Sequence, residues 1–255
     1  MTQADKARAF AALHQPGTPL ILYNAWDAGS AKAVAKAGAD AIATGSWSLA
    51  EAQGYRDGED IPLAFALQIA GRIATSVDLP VSFDFEAGYA DDPEILSQNA
   101  GQVIESGVVG VNFEDRIIGG DALRSVEAQV ARIATLRRVA DHADLPFFIN
   151  ARSDVFFQDS TSGDHSALME EALTRARAYA AAGASGLFLP GLVTPELIGE
   201  ICTASPLPVN IMQTGQAPDH ATLAKLGVAR ISHGPAPYLK AMAHVTEAAK
   251  KALDL

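Results

Sequence analysis

The sequence has little cysteine, little basic charge and no long apolar run. Cys202 is the only cysteine among 255 residues, so no disulfide can form within the chain. Lys and Arg total 19 against 30 Asp and Glu, and the net charge of −11 argues against nucleic acid and anionic membrane surfaces as partners. An acidic small substrate is still compatible with this charge, because an arginine or a metal ion can reverse its sign inside a pocket.

Two further absences concern targeting. No apolar run approaches the roughly 18 residues that a membrane span needs, and the first residues lack the apolar region of a signal peptide. We therefore expect a cytoplasmic protein that binds neither membrane nor nucleic acid. With 49% apolar and 19% charged residues, the chain has enough apolar side chains for a sizeable core.

The chain shows a regular alternation of two kinds of segment. Short apolar segments predict strands, and Ala-rich segments with helical periodicity lie between them. The predicted strands are 20–27, 41–46, 80–86, 110–115, 147–154, 186–191, 208–213 and 230–234. The odd-numbered strands are each entered through a proline, and the even-numbered strands each follow a glycine that can end a helix, namely Gly38, Gly107, Gly183 and Gly227.

Eight strand–helix units in about 250 residues predict an α/β fold, a single (β/α)8 TIM-type barrel domain over residues 1–255. A doubly wound sheet is the alternative, but the Gly-rich first turn typical of that fold is missing. In a barrel of this type, chemistry takes place at the carboxyl ends of the strands. The predicted strand interiors carry almost nothing polar, whereas polar side chains collect at these ends.

The third predicted strand carries the clearest signal. Asp84 and Glu86 alternate with Phe83 and Phe85, so we expect both carboxylates on one face of the strand. Two neighbouring carboxylates in a partly buried place need a cation, hydrogen-bond donors or a shared proton. We interpret them as a divalent metal site at the mouth of the barrel. A solvated edge-strand face is the alternative.

Other strand ends add candidates of matching chemistry. Asp57 and Glu114 contribute two more carboxylates, and such hard oxygen ligands suit Mg²⁺ or Mn²⁺ better than Zn²⁺. Arg152 can hold a carboxylate through two parallel bonds, unless it only pairs with Asp154 or Glu114. The turn at 44–48 can offer backbone N–H groups to an anion. Together these groups predict a pocket for a small anionic oxo-acid whose enolate the metal stabilises.

The candidates fall into three groups by role. The metal group is Asp57, Asp84, Glu86 and Glu114; the substrate group is Thr44, Gly45, Ser46, Trp47, Arg152 and Asn210; the catalytic group is Asp57, Glu114 and Arg152. We interpret the adjacent Asp115 and Arg116 as a surface ion pair.

Four of these segments occur in order and carry a family resemblance: Gly54-Tyr55-Arg56-Asp57, Asp84-Phe85-Glu86-Ala87-Gly88-Tyr89, Asn112-Phe113-Glu114-Asp115 and Ile149-Asn150-Ala151-Arg152-Ser153-Asp154. With them, nearly the whole chain resembles the isocitrate lyase / phosphoenolpyruvate mutase superfamily, in its phosphoenolpyruvate phosphonomutase-like branch.

The resemblance implies a (β/α)8 barrel, often with its last helix exchanged between subunits, and a homodimer or homotetramer. It implies Mg²⁺ bound directly by Asp84, with Asp57, Glu86 and Glu114 holding the metal's waters. It also implies that the 44–47 turn and Arg152 bind the oxo-acid end of the substrate.

One segment departs from the family pattern. The lyases carry a Lys-Cys-Gly-His type motif after the fourth strand, and the phosphonate-handling members use a Lys and an Asn there. Here the loop 115–121 has no Cys, Lys, His or Asn. We therefore expect a Mg²⁺-dependent lyase acting on a C–C bond of a small 2-oxo or 2-hydroxy dicarboxylic acid, for example by oxaloacetate decarboxylation. Phosphonopyruvate hydrolysis, phosphoenolpyruvate phosphonomutase activity and a non-catalytic metal- and oxo-acid-binding protein are the alternatives.

Overall fold

Eight parallel strands form a nearly closed barrel in the computed structural model, which describes residues 1–120, 122–157 and 165–253. Hydrogen-bonded neighbours run in the order β1-β8-β7-β6-β5-β4-β3-β2, all in parallel. The gap between β1 and β2 is spanned by a parallel bridge between Ala25 and Thr44, and the Ala25 N–H donates to the Ala43 carbonyl over 2.8 Å. The predicted fold class is confirmed. The strands are β1 Leu20–Leu22, β2 Ile42–Ala43, β3 Val81–Asp84, β4 Gly110–Glu114, β5 Phe148–Arg152, β6 Gly186–Phe188, β7 Val209–Met212 and β8 Arg230–Ser232.

Helices alternate with the strands on the outside of the barrel. Local capping explains several of their starts: the side chains of Asp27, Asp92, Ser125 and Asp219 each accept a backbone N–H of the first helical turn, which would otherwise lack a partner. The helices are α1 Gln3–Ala12, α2 Ala28–Lys36, α3 Ser46–Glu51, α4 Leu63–Ser76, α5 Pro93–Glu105, α6 Val126–His142, α7 Met169–Ala181, α8 Pro195–Ala204, α9 His220–Lys225 and α10 Ala236–Ala252, with a 3₁₀ turn at Ser166–Leu168.

The four glycines expected to end helices all adopt the left-handed conformation. Their φ values are 95° at Gly38, 91° at Gly107, 97° at Gly183 and 90° at Gly227. A side chain is strained at such φ values, which explains why glycine recurs before the even strands. Among the described residues, no helix combines the length and the apolar character needed to cross a bilayer.

The interior of the barrel is more polar than the sequence predicts. Asn112, Asn150, Asn210 and Arg230 are all buried and hydrogen-bonded to one another inside the ring of strands. The expectation of strand interiors with almost nothing polar is therefore wrong. The apolar residues that alternate with them along the strands, such as Val111, belong to the core between the strands and the helices.

Candidate active site

A cavity of about 270 Å³ opens at the carboxyl ends of the strands. Its wall combines acidic, basic, amide and aromatic groups from at least five strands or the segments that follow them. Its polar lining includes Ser46, Asp57, Asp84, Asn112, Arg116 and Arg152.

Asp84, the last residue of β3, is held in place by the β2–α3 segment. Its backbone N–H donates to Thr44 Oγ1, and its Oδ2 accepts the Ser46 backbone N–H, both over 2.9 Å. Its other carboxylate oxygen, Oδ1, is buried and has no hydrogen-bond partner among the described residues. A buried carboxylate oxygen without a partner is costly unless a cation or a donor from a ligand reaches it.

Glu86 does not continue the strand as the alternation predicts. β3 ends at Asp84, and Glu86 has a left-handed φ of 50°. Its Oε2 accepts the backbone N–H groups of Gly58 and Glu59 over 3.0 and 2.9 Å, and its Oε1 accepts the Tyr89 hydroxyl over 3.1 Å. Burial raises the pKa of Glu86 to about 8, and the nearby charges of Asp84 and Asp57 add to this effect. Glu86 thus fixes the loop that carries Asp57.

Asp57 lines the same cavity as Asp84. Burial and the charge of Asp84 raise the pKa of Asp57, whereas a hydrogen bond with the Ser46 side chain opposes the shift. The structure therefore brings together two of the four predicted metal-site carboxylates on the cavity wall and places Glu86 behind them.

Glu114 and Arg152 meet at the ends of β4 and β5. Arg152 Nη1 lies 2.8 Å from Glu114 Oε2, and its Nε and Nη2 donate to the two oxygens of Asp154 over 2.6 and 2.9 Å. Burial lowers the pKa of Arg152, but the charges of Glu114 and Asp154 outweigh it and raise that pKa overall. Burial also raises the pKa of Glu114, against the opposing effect of Arg152.

Arg152 nevertheless faces the cavity. Its guanidinium carbon lies 5.8 Å from the ring centroids of both Phe157 and Phe188, and all three side chains line the wall. The pairing with acidic partners that we considered as an alternative is thus present, and it coexists with access to the cavity. Because Glu114 and Asp154 hold the guanidinium of Arg152, its orientation is fixed before any ligand binds.

The predicted amide turn is the start of a short helix, α3. Gly45, Ser46 and Trp47 line the cavity, but the Ser46 N–H is already used by Asp84. Thr44 is buried and positions Asp84 instead of facing the cavity. Asn210 is also buried, and its amide donates to the carbonyls of Ile211 and Arg230. The substrate-binding role of Asn210 stays a prediction.

Several lining residues are not predicted from the sequence, among them Phe157, Phe188 and Met212. Phe188 and Met212 end β6 and β7, and Phe157 follows β5. Their positions at or after strand ends could have indicated a place on the cavity wall. Apolar side chains are also expected within strands, however, so the sequence does not distinguish these residues from core residues. The interpretation of Asp115 and Arg116 as a surface ion pair is wrong. Asp115 is fully buried, and its Oδ2 pairs with Arg175 Nη1 over 3.0 Å and accepts the Tyr179 hydroxyl over 2.8 Å.

The residues present fit a hard divalent cation. The unpartnered Oδ1 of Asp84 is a free oxygen ligand, and crowded carboxylates with raised pKa values are a place where positive charge is favourable. No three Asp, Glu, His or Cys side chains converge on one point within the described ranges. Mg²⁺ commonly binds through one or two carboxylates and keeps several waters, and Asp84 and Asp57 on the cavity wall are two such carboxylates.

The fold and the cavity define a (β/α)8-barrel protein with an acidic, arginine-containing site at the carboxyl end of its strands. The chain belongs to the phosphoenolpyruvate phosphomutase family, whose sequence model matches residues 10–253. A proposed phosphonomutase from Burkholderia cenocepacia J2315 is 48% identical; the alignment covers 98% of this chain and 99% of that chain, and the TM-score is 0.95. The uncharacterized protein Rv1998c of Mycobacterium tuberculosis is 32% identical over 247 residues, which are 94% of this chain and 88% of that protein.

Relatives that are named for a reaction differ from one another. The oxaloacetate decarboxylase of Ectopseudomonas mendocina is 27% identical over 211 residues, covering 79% of this chain and 68% of that protein. A 2,3-dimethylmalate lyase structure is 25% identical with a TM-score of 0.83, covering 98% of this chain and 87% of that chain. The superfamily thus contains lyases, decarboxylases and mutases, which supports an enzyme, and family membership does not choose among the reactions.

Proposed function

We propose that this protein is a Mg²⁺- or Mn²⁺-dependent lyase that cleaves a C–C bond of a small 2-oxo or 2-hydroxy dicarboxylic acid through an enolate, with oxaloacetate decarboxylation as the favoured case. The observation that carries the proposal is the unpartnered, buried Oδ1 of Asp84 in one cavity with Asp57 and Arg152. To bind a 2-oxo acid, a site needs a carboxylate that holds a cation and a guanidinium with a fixed orientation. Asp84 and Arg152 provide these two groups on one cavity wall.

The metal would be held directly by Asp84, with Asp57, Glu86 and Glu114 as candidates for holding its waters. When bound, it would supply Lewis-acid stabilisation of the negative oxygen of the enolate. Of these three, Asp57 lines the cavity, while the carboxylate of Glu86 is also engaged by the 58–59 amides.

Arg152 would bind the substrate carboxylate next to the oxo group. Its fork to Asp154 uses Nε and one Nη2–H, and Nη1 is paired with Glu114, so three of the five N–H donors are committed to acidic partners. The remaining donors lie on the Nη edges of a residue that lines the cavity. Phe157 and Phe188 lie beside the guanidinium, and the Arg152 side chain is only 17% exposed, a setting in which a charge-assisted bond is stronger than in water.

Decarboxylation fits the loop that follows β4. When the C3–C4 bond of oxaloacetate breaks, its electron pair stays on C3 as the enolate and CO₂ leaves uncharged, so no side chain has to protonate the leaving group. Solvent can later protonate C3. The loop 115–121 contains no Cys, Lys or His that could act as such an acid, and this supports decarboxylation over cleavage that releases a second carboxylate-bearing anion.

A second candidate is phosphonopyruvate hydrolysis or phosphoenolpyruvate phosphonomutase activity. It is favoured by the matching family model and by the 48% identity to the proposed Burkholderia phosphonomutase. It is weakened by the absence of Lys and Asn from the 115–121 loop.

The test is a substrate panel on metal-stripped protein before and after Mg²⁺ is restored. Oxaloacetate, malate derivatives, methylisocitrate and phosphonopyruvate are supplied in turn, and CO₂, pyruvate and phosphate are measured after the protein-free rate is subtracted. We expect Mg²⁺-dependent pyruvate and CO₂ from oxaloacetate, and loss of this activity in Asp84→Asn but not in Asp92→Asn, an exposed helix cap. Phosphate from phosphonopyruvate would favour the second candidate. Folded, metal-loaded protein that turns over nothing would favour a binding protein.

A further inference from the structure

A chain of buried side-chain amides lies inside the barrel beneath the cavity. Asn112 on β4 and Asn150 on β5 are register partners, as are Asn210 on β7 and Arg230 on β8. Asn150 Nδ2 donates to Asn112 Oδ1 over 2.9 Å and to Asn210 Oδ1 over 3.1 Å. Arg230 Nη2 donates to Asn112 Oδ1 over 3.0 Å.

One end of this chain has its polarity set by the backbone. The amide nitrogen of Asn210 faces the carbonyl oxygens of Ile211 and Arg230 at 3.0 and 3.2 Å, and a carbonyl can only accept. The oxygen of Asn210 must therefore face Asn150. It follows that Asn150 turns its NH₂ group toward both of its amide neighbours, and that the atom of Asn112 facing Asn150 is an oxygen.

The other end gives the same answer independently. The guanidinium of Arg230 can only donate, so the atom of Asn112 that it touches must also be the oxygen. A rotated Asn112 amide would place donor against donor at both contacts. The Asn112 NH₂ group is thus turned away from both neighbours. It has no hydrogen-bond partner within the described residues, and Asn112 lines the cavity.

We infer that Asn112 is a substrate-binding residue that donates an Nδ2–H bond to a carboxylate or enolate oxygen of the acid in the cavity, and that Arg230 is a positioning residue that fixes the polarity of this amide. The inference rests on the proposed function. Asn112 is the register partner of Asp84, so the donor lies on the strand beside the expected metal ligand. A neutral donor at this place selects ligands with an acceptor oxygen there and disfavours those that present only a donor, such as an ammonium group.

Two substitutions separate the donor from the charge. Asn112→Asp keeps the shape and can still accept from Arg230, but it replaces the donor with a negative group. Asn112→Ser stays neutral, but its hydroxyl is too short to replace the amide donor. Oxalate, an enolate mimic, is titrated calorimetrically in the presence of Mg²⁺. We expect both variants to weaken oxalate binding by about tenfold or more, the usual effect of losing a bond to a charged acceptor.

Gln102→Glu makes the same amide-to-acid change on the exposed face of α5 and should bind oxalate like the wild type. If Asn112→Ser binds like the wild type, the donor role is overturned while the proposed function stands, because the loss in Asn112→Asp would then reflect charge alone. A wild-type protein that binds no oxalate overturns the proposed function and this inference with it.

A measurement on the wild-type protein covers the case in which a variant does not fold. The side-chain NH₂ signals of Asn112 are identified in a ¹⁵N spectrum of the wild-type protein by selective labelling of asparagine and sequential assignment. We expect their proton shifts to move downfield when Mg²⁺ and oxalate are added together, because the donor gains a charged acceptor. Unmoved Asn112 signals in protein whose other cavity signals do respond would overturn the inference.

Discussion

Replacing Arg152 with lysine distinguishes a substrate-binding role from a purely structural one. Arg152→Lys keeps the positive charge but loses the planar fork to Asp154, whose side chain is 0% exposed. A lysine ammonium can hold one of the two acidic partners, so one or two charge-assisted bonds are lost, each worth about 1.5–3 kcal/mol. We take about 2–3 kcal/mol as the net loss, because the ammonium forms replacement bonds.

That loss converts into a measurable melting shift. The unfolding entropy of a 255-residue protein is about 0.5 kcal/mol per kelvin. The thermal midpoint should therefore fall by about 4–6 °C. If Arg152 also grips the substrate carboxylate, oxalate binding in the presence of Mg²⁺ should weaken by about tenfold or more in the same preparation.

Calorimetric titration and thermal unfolding of one Arg152→Lys sample give both quantities. Arg138→Lys, on the exposed side of α6, is the matched control and should change neither. Oxalate affinity within about twofold of the wild type, together with a lowered midpoint, would show that Arg152 only neutralises Glu114 and Asp154 and would refute its substrate-binding role.

Two further predictions concern pH and assembly. In the folded protein the pKa of Glu86 is raised to about 8 from its ordinary value of 4.5, so folding favours the neutral form of this side chain. The free energy of unfolding of the metal-free protein should therefore fall as the pH rises from 4.5 to 8, and Mg²⁺ should restore it near pH 8. Urea unfolding curves measure this dependence, which Glu86→Gln should flatten. We also propose that a second copy of the chain covers α10, where Leu239 and Val245 are 50% and 56% exposed. Light scattering should find a dimer or tetramer that Val245→Glu disrupts, whereas the control Ile95→Glu, at an exposed apolar residue of α5, should not; a monomeric wild type would contradict this.

The sequence by itself determined the features that depend on local rules. Apolar strand segments alternating with helical ones predicted the barrel, because each type of element has its own periodicity and the two repeat eight times. The left-handed glycines before the even strands follow from the same local reasoning. The cluster of Asp57, Asp84 and Arg152 could also be predicted, since the carboxyl ends of parallel strands meet on one side of a barrel.

Only the tertiary structure decided which partners these side chains have. Asp115 sits next to Arg116 in the sequence, yet it pairs with Arg175, 60 residues away. Arg230 contacts Asn112 across 118 residues, and that contact sets which atom of an amide faces the cavity. Such contacts leave no periodic signal in the chain, because they exist only after the barrel has closed and brought β4 and β8 to opposite sides of one interior. The strand pattern therefore predicts where the site lies, and closure of the barrel determines which of its atoms are still available to a ligand.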